Sequence, residues 1–422
     1  MKILWAKANK ILPVHSGGDI RSYNLARQLA ARHELTFFSY YDGAPDAAYE
    51  KTLREHFPGA VPLCTGPRHD TALRRGLDYA LRFPRQAPYA VSRFASRAVE
   101  LQLKRWYTEQ AFDVAVCDFL DAAVNFPKEL RVPTVLFQHN VESEIWRRHA
   151  ETETNPARRP IYSVEFAKML AYEKAAVRRF PHVIAVSEHD RKLLSAWVDP
   201  SRVTVVPTGV DLRQYQPDVS DREVAPLVMF VGAMDWEPNI DAVEFFCEAV
   251  WPSVMTRMPA AKFRIVGRNP DRRVQRLAGS STEVTGQVPA VIDHLREAAV
   301  VVVPLRIGGG TRLKIYEAMA AGKAVVSTSV GAEGLDVHDG RDIVLADNPK
   351  ALADAILTIL GDVGLRRQYE RAAAELASRY NWPAVSGRFE EVLEKVAGHA
   401  PVSPGEYVAS REGSAASSGP VA

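Results

Sequence analysis

Short apolar runs rich in β-branched residues alternate along the chain with longer segments whose apolar residues recur at helical spacing. This alternation is typical of βαβ units, in which helices cover parallel strands. The runs form two sets, and the stretch 211–226 between them, with Pro217, Asp218 and Pro226, interrupts both periodicities. The pattern therefore predicts an α/β protein of two Rossmann-like domains. Each is a doubly wound parallel sheet, and the two face each other across a cleft, with 211–226 as the hinge.

The chain length supports this division, because 422 residues exceed what one hydrophobic core usually holds. We predict a first domain at 1–211, a second at 212–380 and a helix at 381–398 that packs back across the domains. A tail at 399–422 is expected to be disordered, because Pro, Gly, Ser and Ala dominate it. The predicted strands are 3–6, 35–39, 114–117, 134–137, 183–186 and 203–206 in the first set, and 227–231, 263–266, 300–303, 324–328 and 342–345 in the second.

Composition narrows the function classes only slightly. The net charge of +2 does not favour a nucleic-acid partner, and the three cysteines are too far apart to suggest a disulfide framework or a zinc site. No apolar stretch approaches the roughly 20 residues that a membrane-spanning helix needs. We therefore expect a cytoplasmic protein that at most rests on the inner face of the plasma membrane.

The segment 68–105 is more basic than the rest of the chain. It has nine Lys or Arg against three Asp or Glu, with apolar side chains interleaved. A helical pair with a solvated charged face accounts for this composition. A peripheral membrane contact, in which the basic side chains meet an anionic lipid headgroup or a lipid-pyrophosphate acceptor, accounts for it as well.

The strongest chemical signal is the turn after the predicted strand 300–303. Glycines 308–310 let the backbone approach a ligand closely, and Thr311 is placed to cap the following helix. The free N–H groups and the dipole at a helix start favour an anion. Arg312 and Lys314 have the wrong charge for that dipole, so we predict that they bind a diphosphate.

Glu317 lies one helical turn after Lys314, so the two side chains are predicted to face the same cleft. A carboxylate there can accept two hydrogen bonds from the vicinal diol of a ribose. The alternative is a glycine-rich turn with incidental surface charges. A Walker P-loop does not fit, because Lys323 follows the predicted helix end and no Ser or Thr comes after it.

Two further candidate sites follow strands of the first domain. Gly17 and Gly18 come after the first strand and open a helix, at the strand end where ligands bind in open α/β sheets. His139 follows the strand 134–137, where an imidazole could bond a sugar hydroxyl or assist proton transfer. The alternatives are a plain tight turn at the glycines and a structural role for the histidine.

In their order and spacing, these elements resemble the family 4 glycosyltransferases, also called glycosyl transferases group 1, over about residues 1–398. The matching segments are Gly17-Gly18 with the helix 19–31, the strand ending in His139, 185–188, 206–211, 230–232, 265–267 and 317–322. The resemblance implies the GT-B fold, in which two Rossmann-like domains close around a nucleotide-sugar donor.

Carried over residue by residue, the resemblance implies that Gly17 and Gly18 approach the donor diphosphate. It further implies that Glu317 binds the ribose and that His139 contacts the transferred sugar. Such enzymes retain the anomeric configuration and need neither a bound metal nor a cofactor besides the donor. The donor is expected mainly on the second domain, and a glycan or lipid-linked acceptor on the first.

Two departures from the family pattern bear on the donor site. Gly309 stands where the family often has a first glutamate, and we predict that the backbone N–H groups of Gly309 and Gly310 replace that carboxylate. The family also often has an Arg and a Lys after the strand that opens the second domain, where this chain has Ala-Met-Asp-Trp-Glu-Pro-Asn at 233–239. We therefore expect Arg312 and Lys314 to neutralise the leaving diphosphate, in a subgroup with a Gly-Gly-Gly-Thr-Arg-Leu-Lys donor loop.

The predicted function is transfer of a sugar from a UDP-sugar, favoured over a GDP-sugar, to a hydroxyl group in glycan, exopolysaccharide or glycolipid biosynthesis. One alternative is a sugar-nucleotide 2-epimerase of the same architecture. The other is a non-catalytic protein that binds a glycan or scaffolds a biosynthetic complex, since a fold alone does not fix a function.

Overall fold

Two parallel sheets organise the protein, and each is built from one of the two predicted sets of strands. The computed structural model describes residues 1–14, 16–66, 72–84, 86–153, 155–156, 158–217, 225–307 and 313–398. The strands of the first sheet are β1 (Lys2–Ala8), β2 (Glu34–Tyr41), β3 (Ala60–Cys64), β4 (Val114–Asp118), β5 (Thr134–Phe137), β6 (His182–Ala185) and β7 (Val203–Val205). Those of the second are β8 (Leu227–Val231), β9 (Lys262–Val266), β10 (Thr282–Gly286), β11 (Val300–Val303), β12 (Ala324–Ser327) and β13 (Val344–Leu345). All paired strands run parallel, as the sequence pattern predicts.

Helices pack against these sheets. The helices of the first domain are α1 (Gly17–Ala30), α2 (Ala47–His56), α3 (Ala72–Arg82), α4 (Tyr89–Ser92), α5 (Arg97–Glu109), α6 (Glu142–Thr152), α7 (Arg159–Arg179) and α8 (Glu188–Ser195). Those that follow are α9 (Glu237–Phe245), α10 (Trp251–Arg257), α11 (Arg272–Gln275), α12 (Val291–Glu297), α13 (Leu313–Ala320), α14 (Pro349–Gly361), α15 (Val363–Ser378) and α16 (Trp382–Ala397). Because helices cover the sheets, central strands are apolar throughout, and all four valines of β11 are buried.

Every strand predicted from the sequence is present, with ends that differ by one or two residues. The pattern misses β3 and β10, which form an edge of the first and the second sheet. In both of these strands only the first residue is buried. A strand with so few buried positions lacks the apolar run on which the sequence reading depends.

The order of the strands defines one switch point in each sheet. It is β3-β2-β1-β4-β5-β6-β7 in the first sheet and β10-β9-β8-β11-β12-β13 in the second. The connections therefore reverse direction between β1 and β4 and between β8 and β11. Ligands of open α/β sheets bind outside the carboxyl ends of the strands at such a point, so each domain offers one candidate subsite.

The C-terminal helix α16 packs against the first domain although it follows the second. Phe389 of this helix stacks on Trp5 of β1 with ring centroids 5.4 Å apart. Glu390 forms an ion pair with Arg32, with an N–O distance of 2.6 Å. These contacts attach the end of the chain to the core of the first sheet.

Four predicted segments fall wholly or partly outside the described residues. They are the tail 399–422, positions 218–224 of the hinge, positions 68–71 and 85 of the basic segment, and positions 308–312 of the donor loop. The remainder of the basic segment contains α3, α4 and α5. Within the part of the chain that the structure describes, no helix has the length and apolar character needed to cross a bilayer.

We expect Phe389→Ala to destabilise the protein, because the substitution removes a ring that contacts both Trp5 and Phe137 and leaves a cavity. The free energy of unfolding from denaturant titration should fall by about 3–5 kcal/mol. Gly387→Ala on the same helix is the matched control. A Cβ there meets no atom within 4 Å, so stability should rise by up to about 1 kcal/mol. Equal stabilities of the two variants would contradict the packing assigned to α16.

Candidate functional site

Charged side chains converge at the switch point of the first sheet although they are almost wholly buried. Lys7 lies near the end of β1, Asp118 ends β4 and His139 follows β5, and their exposed fractions are 3%, 0% and 1%. Asp118 accepts a hydrogen bond from Trp5 at 2.8 Å, and its other oxygen lies 2.8 Å from His139 Nε2. Lys7 Nζ is 3.8 Å from Asp118 and 3.3 Å from Asp19. Because buried charges are costly unless they are paired, these contacts hold the polar side chains in place at the base of the cleft.

The contacts of His139 define its protonation state. Its Nδ1 lies 3.1 Å from Nη1 of Arg21, which can only donate, so Nδ1 accepts and the proton resides on Nε2, facing Asp118. Desolvation lowers the pKa of His139 to about 4, against the opposing influence of Asp118. The imidazole is therefore neutral near pH 7, and both of its nitrogens are already hydrogen-bonded.

Phe119 lies flat on the imidazole of His139, with centroids 3.7 Å apart and planes 7° apart. Its backbone φ is +70°, which costs a bulky residue on the order of 1–2 kcal/mol. The ring also fills the space beside Gly18, where a Cβ would lie 2.2 Å from Cζ. Phe119 therefore requires a glycine at position 18, and it covers one face of the His139 ring.

Carboxyl groups with raised pKa values lie next to this network. Glu173 of α7 accepts hydrogen bonds from the backbone N–H groups of Glu142 and Ser143 at 2.8 and 2.9 Å, and so caps α6. Desolvation and the charge of Glu173 raise the pKa of Glu142 to about 7, and desolvation raises that of Asp121 to about 6. Carboxyl groups of this kind can take up or release a proton near neutral pH.

The ammonium group of a lysine lies at the switch point of the second sheet. Lys314, in the first turn of α13, donates a hydrogen bond from Nζ to Oδ1 of Asn239 at 2.8 Å. The same ammonium lies 4.3 Å from the ring centroid of Phe230, near the end of β8. Lys314 thus reaches from the β11 side of the switch point to the β8 side.

Glu317 is half-buried one turn further along α13. Desolvation raises its pKa, and a hydrogen bond from Tyr215 and the charge of Lys314 act in the opposite direction. Tyr215 belongs to the segment that leaves the first domain, so the carboxylate contacts the linker between the domains.

Contacts between the domains bring the two switch points together. A Cβ on Gly17, the first residue of α1, would lie 3.3 Å from Cδ1 of Leu313, the first residue of α13. The two helix starts that the sequence analysis selected therefore meet across the cleft. Arg148 bridges the domains by bonding both carboxylate oxygens of Glu333 at 3.1–3.2 Å.

The structure places Gly17, Gly18 and His139 together in the first domain and Lys314 and Glu317 together in the second. The rest of the predicted donor loop lies outside the described residues, and its role stays a prediction: Gly309, Gly310, Thr311 and Arg312.

Sequence reasoning missed several residues of this site. Lys7 and Asp118 carried a usable signal, since each is a charge at the carboxyl end of a buried strand. Asn239 and Tyr215 carried none, because their partners on α13 are distant in the sequence. Phe119 likewise looks like an ordinary apolar residue until its φ angle is known.

Comparison with known proteins identifies the family. The model of Glycosyltransferase Family 4 matches residues 15–214, and the model of Glycosyl transferases group 1 matches residues 225–362. The chain belongs to the family 4 glycosyltransferases. The resemblance to this family is thereby confirmed, whereas the subgroup with a Gly-Gly-Gly-Thr-Arg-Leu-Lys donor loop stays a prediction.

Curated relatives of this glycosyltransferase match part of the chain. A phosphatidyl-myo-inositol mannosyltransferase of Mycolicibacterium smegmatis is 31% identical over 226 residues, which cover 51% of this chain and 57% of the relative. A D-inositol 3-phosphate glycosyltransferase of Paenarthrobacter aurescens is 29% identical over 235 residues, which cover 50% of this chain and 56% of the relative. The chain thus spans a little over half the length of these curated relatives.

Solved structures match nearly the whole chain. Anabaena HepE in complex with UDP and glucose has a TM-score of 0.65 and 15% identity, covering 93% of this chain and 99% of HepE. Sucrose-phosphate synthase of Thermosynechococcus elongatus has a TM-score of 0.67 and 19% identity, covering 94% of this chain and 98% of the synthase. At these identities the likeness concerns the fold, which is the predicted GT-B architecture.

The neutral state of His139 predicts a pH dependence of stability. An unfolded histidine has a pKa of about 6.5 and the folded pKa is about 4, so the unfolded state binds more protons between these values. The stability that neutral His139 contributes is therefore lost as the pH falls through this interval. His139→Gln can keep both hydrogen bonds without titrating, so it should flatten the dependence of the unfolding free energy on pH between about 6.5 and 4. An unchanged profile from denaturant titrations would rule out the neutral assignment.

Proposed function

We propose that this protein is a retaining, metal-independent glycosyltransferase. It moves a sugar from a nucleoside-diphosphate sugar, with UDP favoured over GDP, to a hydroxyl group of a glycan or lipid acceptor. The observation that carries the proposal is the meeting of two switch points across the cleft, with the Lys314 ammonium held at one of them. A nucleotide sugar suits this arrangement, because its anionic diphosphate lies between a ribose and a pyranose.

The comparisons support the substrate classes. The relatives are named for transferring mannose to phosphatidyl-myo-inositol or a glycosyl group to D-inositol 3-phosphate, which favours a hydroxyl-rich acceptor in glycolipid assembly. Structures of HepE contain UDP or UDP-glucose, which favours UDP. These donor and acceptor classes are proposals for the present chain.

In the proposed chemistry, stabilisation of the leaving group provides most of the rate enhancement. Negative charge develops on the nucleoside diphosphate as the glycosidic bond breaks, and Lys314 with Arg312 stabilises that charge. Glu317 binds the ribose, and backbone N–H groups at Gly17 and Gly18 approach the diphosphate. Closure of the domains excludes water that would otherwise hydrolyse the donor.

A donor panel tests the proposal directly. We expect release of UDP or GDP from at least one sugar nucleotide in the presence of an acceptor. Glu317→Ala should raise the KM for that donor by about 10–100-fold, because it removes charge-assisted hydrogen bonds worth about 1.5–3 kcal/mol. Glu375→Ala, whose side chain on α15 is 73% exposed, is the control and should leave the KM unchanged. Release of no nucleoside diphosphate from any donor, with no binding of UDP or GDP, would refute the function.

We propose in addition that the basic segment 68–105 rests on an anionic membrane, where a lipid acceptor resides. Leu77 and Leu81 of α3 are four residues apart, and 61% and 68% of their surfaces are exposed. Tyr79 and Phe83, between and after them, turn inward instead, toward Tyr89 and Lys168. An exposed apolar pair within an arginine-rich segment is typical of a helix that inserts its apolar face into the lipid interface.

Vesicle flotation tests this surface. The double variant Leu77→Ser, Leu81→Ser should lower binding to vesicles with about 30% anionic lipid by roughly tenfold or more, since two exposed leucines contribute on the order of 1.5–3 kcal/mol each when buried. Val363→Ser, which alters a 46% exposed apolar residue on α15 of the second domain, is the matched control. Binding that is equal for both variants and the unaltered protein would exclude the proposed surface.

A further inference from the structure

Asn239 connects the two sides of the second switch point through its side-chain amide. It lies in the first turn of α9 and is 7% exposed. Its Nδ2 donates to the backbone carbonyl of Ala233 at 2.9 Å, and its Oδ1 accepts from Lys314 Nζ at 2.8 Å. Both ends of the amide are therefore engaged, which determines which end faces the ammonium.

The ammonium of Lys314 lies in a recess at the end of β8. Phe230 provides one wall, 4.3 Å from Nζ. A Cβ on Gly232 would lie 2.8 Å from Nζ and 2.8 Å from Asn239 Nδ2, so any larger residue there would displace one group or the other. The ammonium supplied by α13 thus fits the end of β8, where it meets an aromatic face, a glycine and an amide oxygen.

A neutral partner suits a cation that must also bind an anion. A free lysine side chain loses about 2 kcal/mol of rotamer entropy when it is fixed, and the contacts with Asn239 and Phe230 offset this loss before any ligand arrives. An aspartate at position 239 would fix the ammonium equally well but would cancel its charge. The amide fixes the position of the charge and leaves its magnitude intact.

We propose that Asn239 is a positioning residue that holds the Lys314 ammonium where the diphosphate of the nucleotide sugar binds. This inference rests on the proposed function and extends it to a residue that acts through Lys314.

A double-mutant cycle tests whether Asn239 acts through Lys314. We expect Lys314→Ala to lower kcat/KM by about 100-fold, as loss of a group that stabilises developing charge does, and Asn239→Ala to lower it by about tenfold. The double variant should be no worse than Lys314→Ala alone, because without the ammonium there is nothing left to position. A double variant that loses the product of the two factors, about 1,000-fold, or an Asn239→Ala variant with unaltered kcat/KM, would overturn the proposal.

Nucleotide binding separates positioning from general damage to the fold. By calorimetry, Asn239→Ala should weaken binding of UDP but not of uridine, since only UDP has the diphosphate. Gly232→Ala, whose Cβ would crowd both the ammonium and the Asn239 amide, should show the same pattern. Equal weakening of UDP and uridine would assign Asn239 a structural role and refute the inference.

The aspartate variant tests the requirement for a neutral partner. Asn239→Asp should bind UDP more weakly than the unaltered protein while retaining its affinity for uridine. UDP affinity at the unaltered level would show that charge is irrelevant at this position and would remove the argument for an amide.

The two proposals fail in distinguishable ways. If the unaltered protein turns over no donor and binds neither UDP nor GDP, the proposed function fails and this inference fails with it. If the unaltered protein is active but Asn239→Ala matches it, only the inference fails. Should GDP be the nucleotide that binds, GDP and guanosine replace UDP and uridine in the measurements.

Discussion

Burial of charge at the carboxyl ends of parallel strands is the constraint on which the first subsite depends. Lys7, Asp118 and Arg21 are each at most 4% exposed, and an unpaired charge at such depth costs several kcal/mol. Each charged group therefore restricts the hydrogen-bonding role or the ionisation state of its neighbours. Arg21 makes His139 accept at Nδ1, which directs Nε2–H to Asp118, while Lys7 keeps Asp118 ionised despite its burial. His139 is uncharged mainly because burial desolvates its ring; the charges of Arg21 and Lys7 act in the same direction, and Asp118 acts against them.

The lysine of the second subsite has different partners from the lysine of the first. In the first domain, Lys7 lies within 4 Å of the carboxylates of Asp19 and Asp118, so the positive charge is largely balanced inside the fold. In the second, the ammonium of Lys314 is hydrogen-bonded to a neutral amide and lies over an aromatic ring. The buried lysine of the first domain is thus paired with carboxylates, whereas the side chain of Asn239 that accepts from Lys314 in the second domain is uncharged. This difference supports the proposal that a nucleoside diphosphate binds mainly to the second domain.

The sequence predicts the elements of this fold better than the contacts between them. Central strands such as β11 are found because burial on both sides makes them apolar throughout, whereas β3 and β10 are missed at the sheet edges. The sequence predicts that His139 lies at the carboxyl end of a strand. It does not predict that the ring of Phe119 stacks on the imidazole. That stacking depends on a positive φ in a residue for which the angle is unfavourable.

The same limit applies to the donor site. Glu317 and Lys314 are identified by helical spacing, because their relation is local. Asn239 is 75 residues away from Lys314 and becomes its partner only when β8 and β11 pair as neighbours. Tyr215 reaches Glu317 from the linker, which the sequence marks only as an interruption of both periodicities. Residues that come into contact only through strand order, and not through a regular spacing along the chain, leave no pattern in a single sequence.

The connection between the domains is compatible with the proposed closure of the two subsites on a ligand. The chain crosses between the domains twice, and the crossings lie side by side, since Val210 N–H donates to Tyr380 O at 2.8 Å and Val210 pairs with Asn381. Rotation of one domain therefore bends two adjacent segments at one place and leaves both sheets intact. The Arg148–Glu333 pair is 28% and 27% exposed, and a pair at such exposure contributes only about 0–1 kcal/mol. This pair therefore adds little to the cost of domain movement, which is compatible with the proposed closure around a ligand.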